Sequence, residues 1–232
     1  MIHEAWFTFN GVDSRHMDVI VTAMPETVRP DRRITSVKIP GRSGLLHLDE
    51  AVYESYIRTM ECAIRNRENI DEIAAWLTGS GKMIFSTEPD KVYDVTISNK
   101  ISIVGMMRIF QKFMVTMDTQ PFKYREMARR DTLTLTEGTF FRNKGNVYAN
   151  PLITVYGTGD ISLFINDEEF FLQDVEESIT IDSEIMEVFR GNSNQNHKYR
   201  NTKFPRLETG INGVDWTGSV NKVEIIPRWR YI

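Results

Sequence analysis

A single cysteine in 232 residues is the sharpest scarcity in this chain. Cys62 alone excludes an internal disulfide and every metal site built from several cysteines. It lies in TMECAIRN, where Met60, Cys62 and Ile64 alternate with Glu61 and Arg65, so the thiol is expected on the core side of a strand rather than as a nucleophile. Histidine is nearly as rare. His3, His16, His47 and His197 are scattered, with no i, i+4 pair and no H-E-x-x-H, so no zinc site and no cofactor are expected. Long apolar runs are missing too: the longest, residues 101–107, is interrupted by Ser102 and Gly105 and stopped by Arg108, against the roughly 20 residues a spanning helix needs. No membrane insertion is expected. The opening MIHEAWF carries Glu4 and no basic region ahead of an apolar stretch, so the expectation is a chain without a secretory signal, made in the cytoplasm.

Intact phosphate-binding and nucleophile motifs are absent as well. In NPLITVYGTGDISLFIN, Gly157 and Gly159 begin a G-x-G-x-x-G pattern, but Ser162 occupies the third glycine position and the flanks alternate with a period of two. The reading is a hairpin connection with glycine supplying positive φ. GSGK at 79–82 has Trp76 in place of the first glycine of a phosphate loop and Met83 in place of its hydroxyl. GRSG at 41–44 has Leu45 where a nucleophile elbow needs glycine. Paired carboxylates of a glycosidase cannot be picked out by spacing among 32 acids, and no catalytic residue is assigned.

What is present is strand pattern and unevenly distributed charge. Residues 131–232 hold 10 basic and 15 acidic side chains, and 160–187 contain ten acids with no Lys or Arg, a surface that repels nucleic acid. AWFTFNGVDS reads as a strand ending in an Asn10-Gly11 hairpin turn, and DVIVTA as a second strand. NIDEIAAWLTGSG specifies one helix, with Asn69 and Glu72 as a capping box, Ile70, Ile73, Ala74 and Leu77 as the apolar stripe, and Gly79 as the stop. Beyond it KMIFS, VYDVTIS, ISIVGMM and RIFQKFMVTMD alternate as strands, with turns expected at Glu88-Pro89-Asp90 and Asn99-Lys100. The second half continues as short strands, with turns expected at Gly157, Asn166-Asp167, Asn192 to Asn196, Asn212-Gly213 and Gly218. Its aromatics Tyr148, Tyr199, Phe204 and Trp216 either stack on sugars or fill a core, and strand preference favours the core. The fold class is therefore mainly β in two domains. Residues 1–135 form a β-rich domain with one packed helix, residues 136–232 an antiparallel β-sandwich, and the seam falls within 129–147.

The stretch PETVRPDRRITSVKIPGRSG stands apart. Its prolines cannot donate to a sheet ladder, and it is the most basic piece of the chain, so it reads as an edge, an arm or an extended loop. Pro25, Arg29, Pro30, Arg32, Arg33, Lys38, Pro40, Gly41 and Arg42 are the candidate residues of an arm that pairs with a neighbouring subunit.

FTFNGVDS, IPGRSG, AWLTGSGKMIFS, EPDKVYDVTIS, NPLITVYGTGDISLFIN, ITIDSE and FPRLETGINGVDWTGSVNKVEIIPRWRYI, in that order, resemble the distal tail proteins (Dit) of siphovirus-type bacteriophages over nearly the whole chain. The resemblance implies a structural virion protein at the distal end of the tail, not an enzyme. It implies a homo-hexameric ring formed by the amino-terminal domain, and a galectin-like sandwich as the carboxyl-terminal one. The implied partners are the tail tube protein, the tape-measure protein and the tail-tip, lysin or receptor-binding proteins, with DNA passing through the channel without specific binding. A carbohydrate-binding adhesion module of the tail tip is the alternative function, and a cell-wall hydrolase a third. The chain leaves no room for the carbohydrate-binding insertions that some relatives carry.

Overall fold

The computed structural model describes residues 5–64, 69–98, 104–105, 111–125 and 131–232. Contacts divide the chain into two compact units, residues 1–123 with Ile232, and residues 124–231. β11 (Leu133–Leu135), which the expected boundary at residue 135 leaves in the first domain, pairs with a strand of the second unit, and the contact division after residue 123 falls twelve residues before that boundary.

In the first unit β1 (Phe7–Phe9) and β2 (Val12–Asp13) are joined by Asn10 and Gly11, both at positive φ, as the expected hairpin turn requires. β3 (Val19–Ala23), β4 (Arg32–Val37), β5 (Leu46–Tyr53) and β6 (Tyr56–Ile64) precede helix α1 (Ile70–Trp76). β7 (Gly79–Phe85), β8 (Glu88–Ile97), β9 (Val104–Gly105) and β10 (Gln111–Arg125) follow it. The main sheet runs β2-β1-β7-β8-β10-β6-β3, with β9 beside β10, while β4 and β5 form a separate two-stranded sheet. Phe7, Phe9, Met60, Cys62, Met83, Phe85, Val115 and Met117 alternate inward to make the core. The helix covers it with Ile73 and Leu77, while Trp76 stacks on Phe7 at 5.5 Å and donates to the Phe9 carbonyl at 3.1 Å.

Three local expectations fail here for identifiable reasons. Asn69 makes no side-chain cap, and Ala74 faces solvent, because Trp76 rather than Ala74 completes the buried stripe. The β7–β8 turn is Ser86-Thr87, which leaves Pro89 inside the first residues of β8 instead of in the turn. The turn expected at Asn99-Lys100, and most of the ISIVGMM strand, lie outside the described residues.

The second unit consists of β11, β12 (Thr139–Arg142), β13 (Leu152–Ile165), β14 (Glu168–Val175), β15 (Ser178–Asp182), β16 (Glu187–Arg190), β17 (Ser193–Asn194), β18 (Ile211–Ile226) and β19 (Arg230–Tyr231). Its sheet is built on the antiparallel pair β13–β18. Each of these strands takes two further partners in succession: β13 pairs with β15 through residues 152–156 and with β14 through 159–165, while β18 pairs with β12 near its start and β11 near its end. The partner changes where both strands slip register, and one core receives Ile153 and Val155 from one side of the slip and Ile161, Leu163 and Ile165 from the other. The sheet thus curls onto itself.

Gly157 and Gly159 are part of this slip and not of a hairpin. Gly159 has φ +78°, but a Cβ at Gly157 would sit 2.3 Å from the Ser219 carbonyl oxygen, so the first glycine is needed for close approach of two strands. Across from them Gly218 has φ +104°, again within a strand rather than in a turn. Asn212-Gly213 is likewise inside β18. Asn212 is buried and holds the Glu208 amide at 2.7 Å and the Glu208 carbonyl at 2.9 Å, and receives the Asn166 amide at 3.1 Å. The Asn166-Asp167 turn forms as expected between β13 and β14.

The acidic run finds its counter-charges elsewhere in this unit. Arg228 clamps Asp182 through both nitrogens, at 2.6 and 2.9 Å, Arg190 reaches Glu176, and Lys198 donates to Glu176 at 3.3 Å. Burial works to raise the Asp182 pKa, but hydrogen bonds from Arg228 and from the Glu184 and Ile185 amides outweigh it and hold the carboxyl below its ordinary value.

Gly157→Ala is expected to destabilise the protein by about 1–3 kcal/mol, because backbone must move to admit the methyl group. Gly159→Ala meets open space and is charged only for its backbone angle, roughly 1–2 kcal/mol. Urea titration checks this: a Gly157→Ala variant as stable as the parent would show that the two strands do not approach each other at Gly157. For Asp182 the folded pKa is depressed, so its contribution is complete above the unfolded value of about 3.9 and is lost as pH falls through the folded one. Asp182→Asn should therefore cost about 3 kcal/mol at neutral pH, and the difference in melting temperature from the parent should narrow as the pH falls through the depressed folded pKa. A difference that stays constant down to pH 2, measured by calorimetry, would remove the ion pair as its source.

Candidate assembly surface

β4 and β5 form a hairpin in which every residue of β4 is exposed and no residue of β5 is buried. The strands pair from Arg32 opposite Tyr53 to Val37 opposite Leu46, with a slip between Arg32 and Ile34 where Ala51 takes φ +57° and donates its amide to Asp49 at 2.8 Å. At the far end the Arg42 amide donates to the Ile39 carbonyl at 3.1 Å, with Pro40 and Gly41 between them and Gly41 at φ +82°. That is the turn the IPGR sequence encodes, with proline fixing the first central φ and glycine accepting the second.

Register sorts the side chains into two faces. Thr35 opposite Leu48 and Val37 opposite Leu46 share one face, and Ile34 opposite Asp49 and Ser36 opposite His47 share the other. The second face is knitted by the Ser36–His47 hydrogen bond at 2.9 Å and the Arg32–Asp49 ion pair at 3.2 Å. Arg33 reaches Glu54 at 3.0 Å and Glu50 at 3.8 Å, and Thr35 donates to Glu50 at 2.7 Å. Toward the tip apolar side chains are uncovered: Val37 and Leu48 on the first face, with Ile39 and Leu45 just beyond the strand ends, are all exposed, Leu48 by 50%. A two-stranded hairpin is marginal in water by itself, and exposed apolar side chains along one are a liability unless something covers them.

The base of the hairpin is fastened. Pro25 and Pro30 are buried, and Arg58 on β6 donates to the Glu26 carbonyl at 3.1 Å and the Pro25 carbonyl at 3.4 Å. Its guanidinium lies between the Phe85 and Tyr93 rings, 4.7 and 4.9 Å from their centroids. The Glu54 amide donates to the Asp31 carbonyl at 2.9 Å, and Tyr53 packs edge-on against Phe122.

The nine arm residues read from sequence are therefore distributed over three structures. Pro25, Arg29 and Pro30 belong to the strap that Arg58 grips, Arg32 and Arg33 to β4, and Lys38, Pro40, Gly41 and Arg42 to the turn region. Arg32 and Arg33 are neutralised by carboxylates from β5 and its end, so they are not available for a neighbour's acidic surface. β5 itself went unread, although Leu46 and Leu48 alternating with His47 and Asp49 carry its signal. Arg58 gave no signal, since nothing local shows that an arginine in a strand points inward.

The other sequence candidates fall into structural places. Cys62 is fully buried and its thiol is pushed up to about 12 by burial, far from thiolate chemistry at neutral pH. Tyr199 stacks on Phe204 at 5.0 Å and Trp216 packs on the second core, while Arg206 and Arg230 lie over the Tyr148 ring. A hollow of about 620 Å³ opens beside Phe204, and Tyr148, Tyr199 and Trp216 do not line it. Among the described residues no three His, Cys, Asp or Glu side chains are grouped to hold a metal ion.

Arg58→Ala is expected to release the strap, at a cost of about 3 kcal/mol for the lost charged hydrogen bonds and ring contacts. Trypsin cleavage after Arg32 or Arg33, followed by mass spectrometry, should accelerate in the variant. Unchanged resistance at those bonds would mean that Arg58 does not anchor the hairpin.

No protein-family model matches the sequence, and no curated protein does. Among solved structures the chain is similar to the crystal structure of the SPP1 Dit protein (gp 19.1), described as a paradigm of the hub adsorption apparatus in phages that infect Gram-positive bacteria. The match has a TM-score of 0.76 and covers 95% of this chain and 98% of that one, at 14% sequence identity. At that identity the likeness is one of architecture, and it spans both units: the chain has the fold of the Dit proteins.

Proposed function

We propose that this protein is a structural component of a phage tail that forms a hexameric ring and serves as the hub between the tail tube and the tail-tip or baseplate apparatus. The first unit makes the ring through head-to-tail contacts, in which one surface meets a different surface of the next copy. The second unit is read as a galectin-like sandwich. The central opening passes the tape-measure protein and then DNA, without sequence-specific contact. No bond is made or broken in this role, and the protein acts in the virion at the distal end of the tail.

One observation carries the reading. In a chain with the fold of a hub protein, a fastened hairpin presents exposed apolar side chains that its own unit leaves uncovered. A second copy is the partner a ring supplies in fixed geometry. Because Arg32 and Arg33 are already paired within the hairpin, apolar contact and backbone pairing carry most of the joining of the copies.

Replacing residues 34–50 by a three-residue glycine-serine linker tests this directly. The parent chain should give six-membered rings by negative-stain imaging and mass measurement, and the shortened chain single molecules. Its melting temperature should stay within about 5 °C of the parent, since the excised residues include none of the core and a change near 1 kcal/mol is the scale expected. Rings from the shortened chain would remove the hairpin from assembly. A parent chain that stays monomeric even with tube and tip proteins supplied would overturn the ring.

A further inference from the structure

The main sheet of the first unit carries a second patch of exposed apolar side chains, on the outer face of β6 and β10. Pairing places Ile57 opposite Asp118, Thr59 opposite Thr116 and Glu61 opposite Met114, all on the face turned away from Met60, Cys62 and Val115 of the core. Ile57 is 61% exposed and Met114 49% exposed, separated by two threonines that carry no charge. Glu61 and Asp118 flank the patch diagonally, and neither has an ion-pair partner among the described residues. One oxygen of Asp118 is moreover buried without a hydrogen bond.

The hairpin tip has the complementary character. Of its four cations Arg32 and Arg33 are paired, whereas Lys38 and Arg42 are exposed and have no carboxylate partner among the described residues. They flank Ile39 and Pro40, with Leu45, Val37 and Leu48 close behind. One surface is thus apolar with two free cations, the other apolar with two carboxylates. Both surfaces expose apolar side chains in the single chain. The eight residues of β5 carry the tip on the order of 25 Å from the fastened base, enough to cross a subunit boundary.

We infer that the outer face of β6–β10, centred on Ile57 and Met114 between Glu61 and Asp118, is the seat for the hairpin tip of a second copy of this chain. The inference rests on the ring reading and adds to it the identity of the receiving surface. Two different surfaces of one chain meeting across copies is the head-to-tail arrangement that propagates around a closed ring. Lys38 and Arg42 set the register against Asp118 and Glu61, and the apolar side chains supply the contact area.

Cysteine cross-linking in the full chain distinguishes the levels of this claim. Leu48→Cys or Ile39→Cys is combined with Ile57→Cys or Met114→Cys, and Ile185→Cys in the second unit replaces the receiving cysteine as control. Native Cys62 is fully buried and contributes no background. Under mild oxidation, pairs directed at Ile57 or Met114 should yield covalent multimers up to the full ring, at least tenfold above the control. Rings that form normally while those pairs link no better than the control would overturn the receiving surface and leave the ring standing. Failure of the unsubstituted chain to associate at all would take down the ring, and this inference with it. The doubly reversed variant Lys38→Glu, Arg42→Glu gives an independent reading. Its assembly should fall by tenfold or more and recover when Glu61→Lys and Asp118→Lys are added, whereas equal assembly of all these variants would also refute the pairing.

Discussion

The side-by-side run of β13 and β18 is the interaction on which the second unit depends. Each strand is too long to lie flat against a single core, and both yield at one point, where Gly157 lets the Ser219 carbonyl come within a distance no Cβ permits. On either side of that point the strands recruit different partners, and the curled sheet buries both halves of its inward residues together. Removing the close approach would separate the two halves of the core before it affected any single hydrophobic contact. The ladder, not a particular side chain, therefore determines where the rest of the unit goes.

Alternation made the strands legible in the sequence. Met60, Cys62 and Ile64, or Ile161, Leu163 and Ile165, announce their inward face because one side of each strand is buried. The same signal misled at Gly157, Asn212 and Gly218. Glycine and asparagine are the residues of turns, yet here they stand within strands because another strand comes close, as at Gly157 and Gly218, or because Asn212 holds the backbone of Glu208 four residues earlier while receiving the side-chain amide of Asn166. The strand contacts and the Asn166 bond come from residues distant in sequence, so no local window contains them. The helix shows the smaller version of this limit. Its existence was plain from Ile70, Ile73 and Leu77, while Asn69 failed to cap and Trp76 displaced Ala74 from the buried side because Phe7 and Phe9 lie there to receive it.

The assembly surface was half legible. IPGR specifies its turn locally, and the prolines of the strap marked it as something other than a core strand. The basic composition, however, set the stretch apart as a candidate arm without showing where its charges go, whereas β5 returns alongside β4 carrying Asp49 and Glu50, with Glu54 just beyond its end. A charge count along a sequence does not distinguish cations held by the returning strand from cations left over. Only the pairing register does, and it leaves Lys38 and Arg42 at the tip.

That internal neutralisation has an energetic consequence for the proposed ring. The exposed ion pairs of the hairpin are screened by solvent and individually weak, and they stabilise the hairpin rather than the contact between copies. Covering Val37, Ile39, Leu45 and Leu48, each already partly shielded, contributes on the order of 1 kcal/mol apiece. Joining two copies costs at least about 4 kcal/mol in lost freedom of motion, so one hairpin on one sheet barely repays the loss. In a closed ring the last contact is made between copies already held together, at an effective concentration far above that in solution. For the proposed ring, the energetics thus favour either single molecules or complete rings over pairs and open chains.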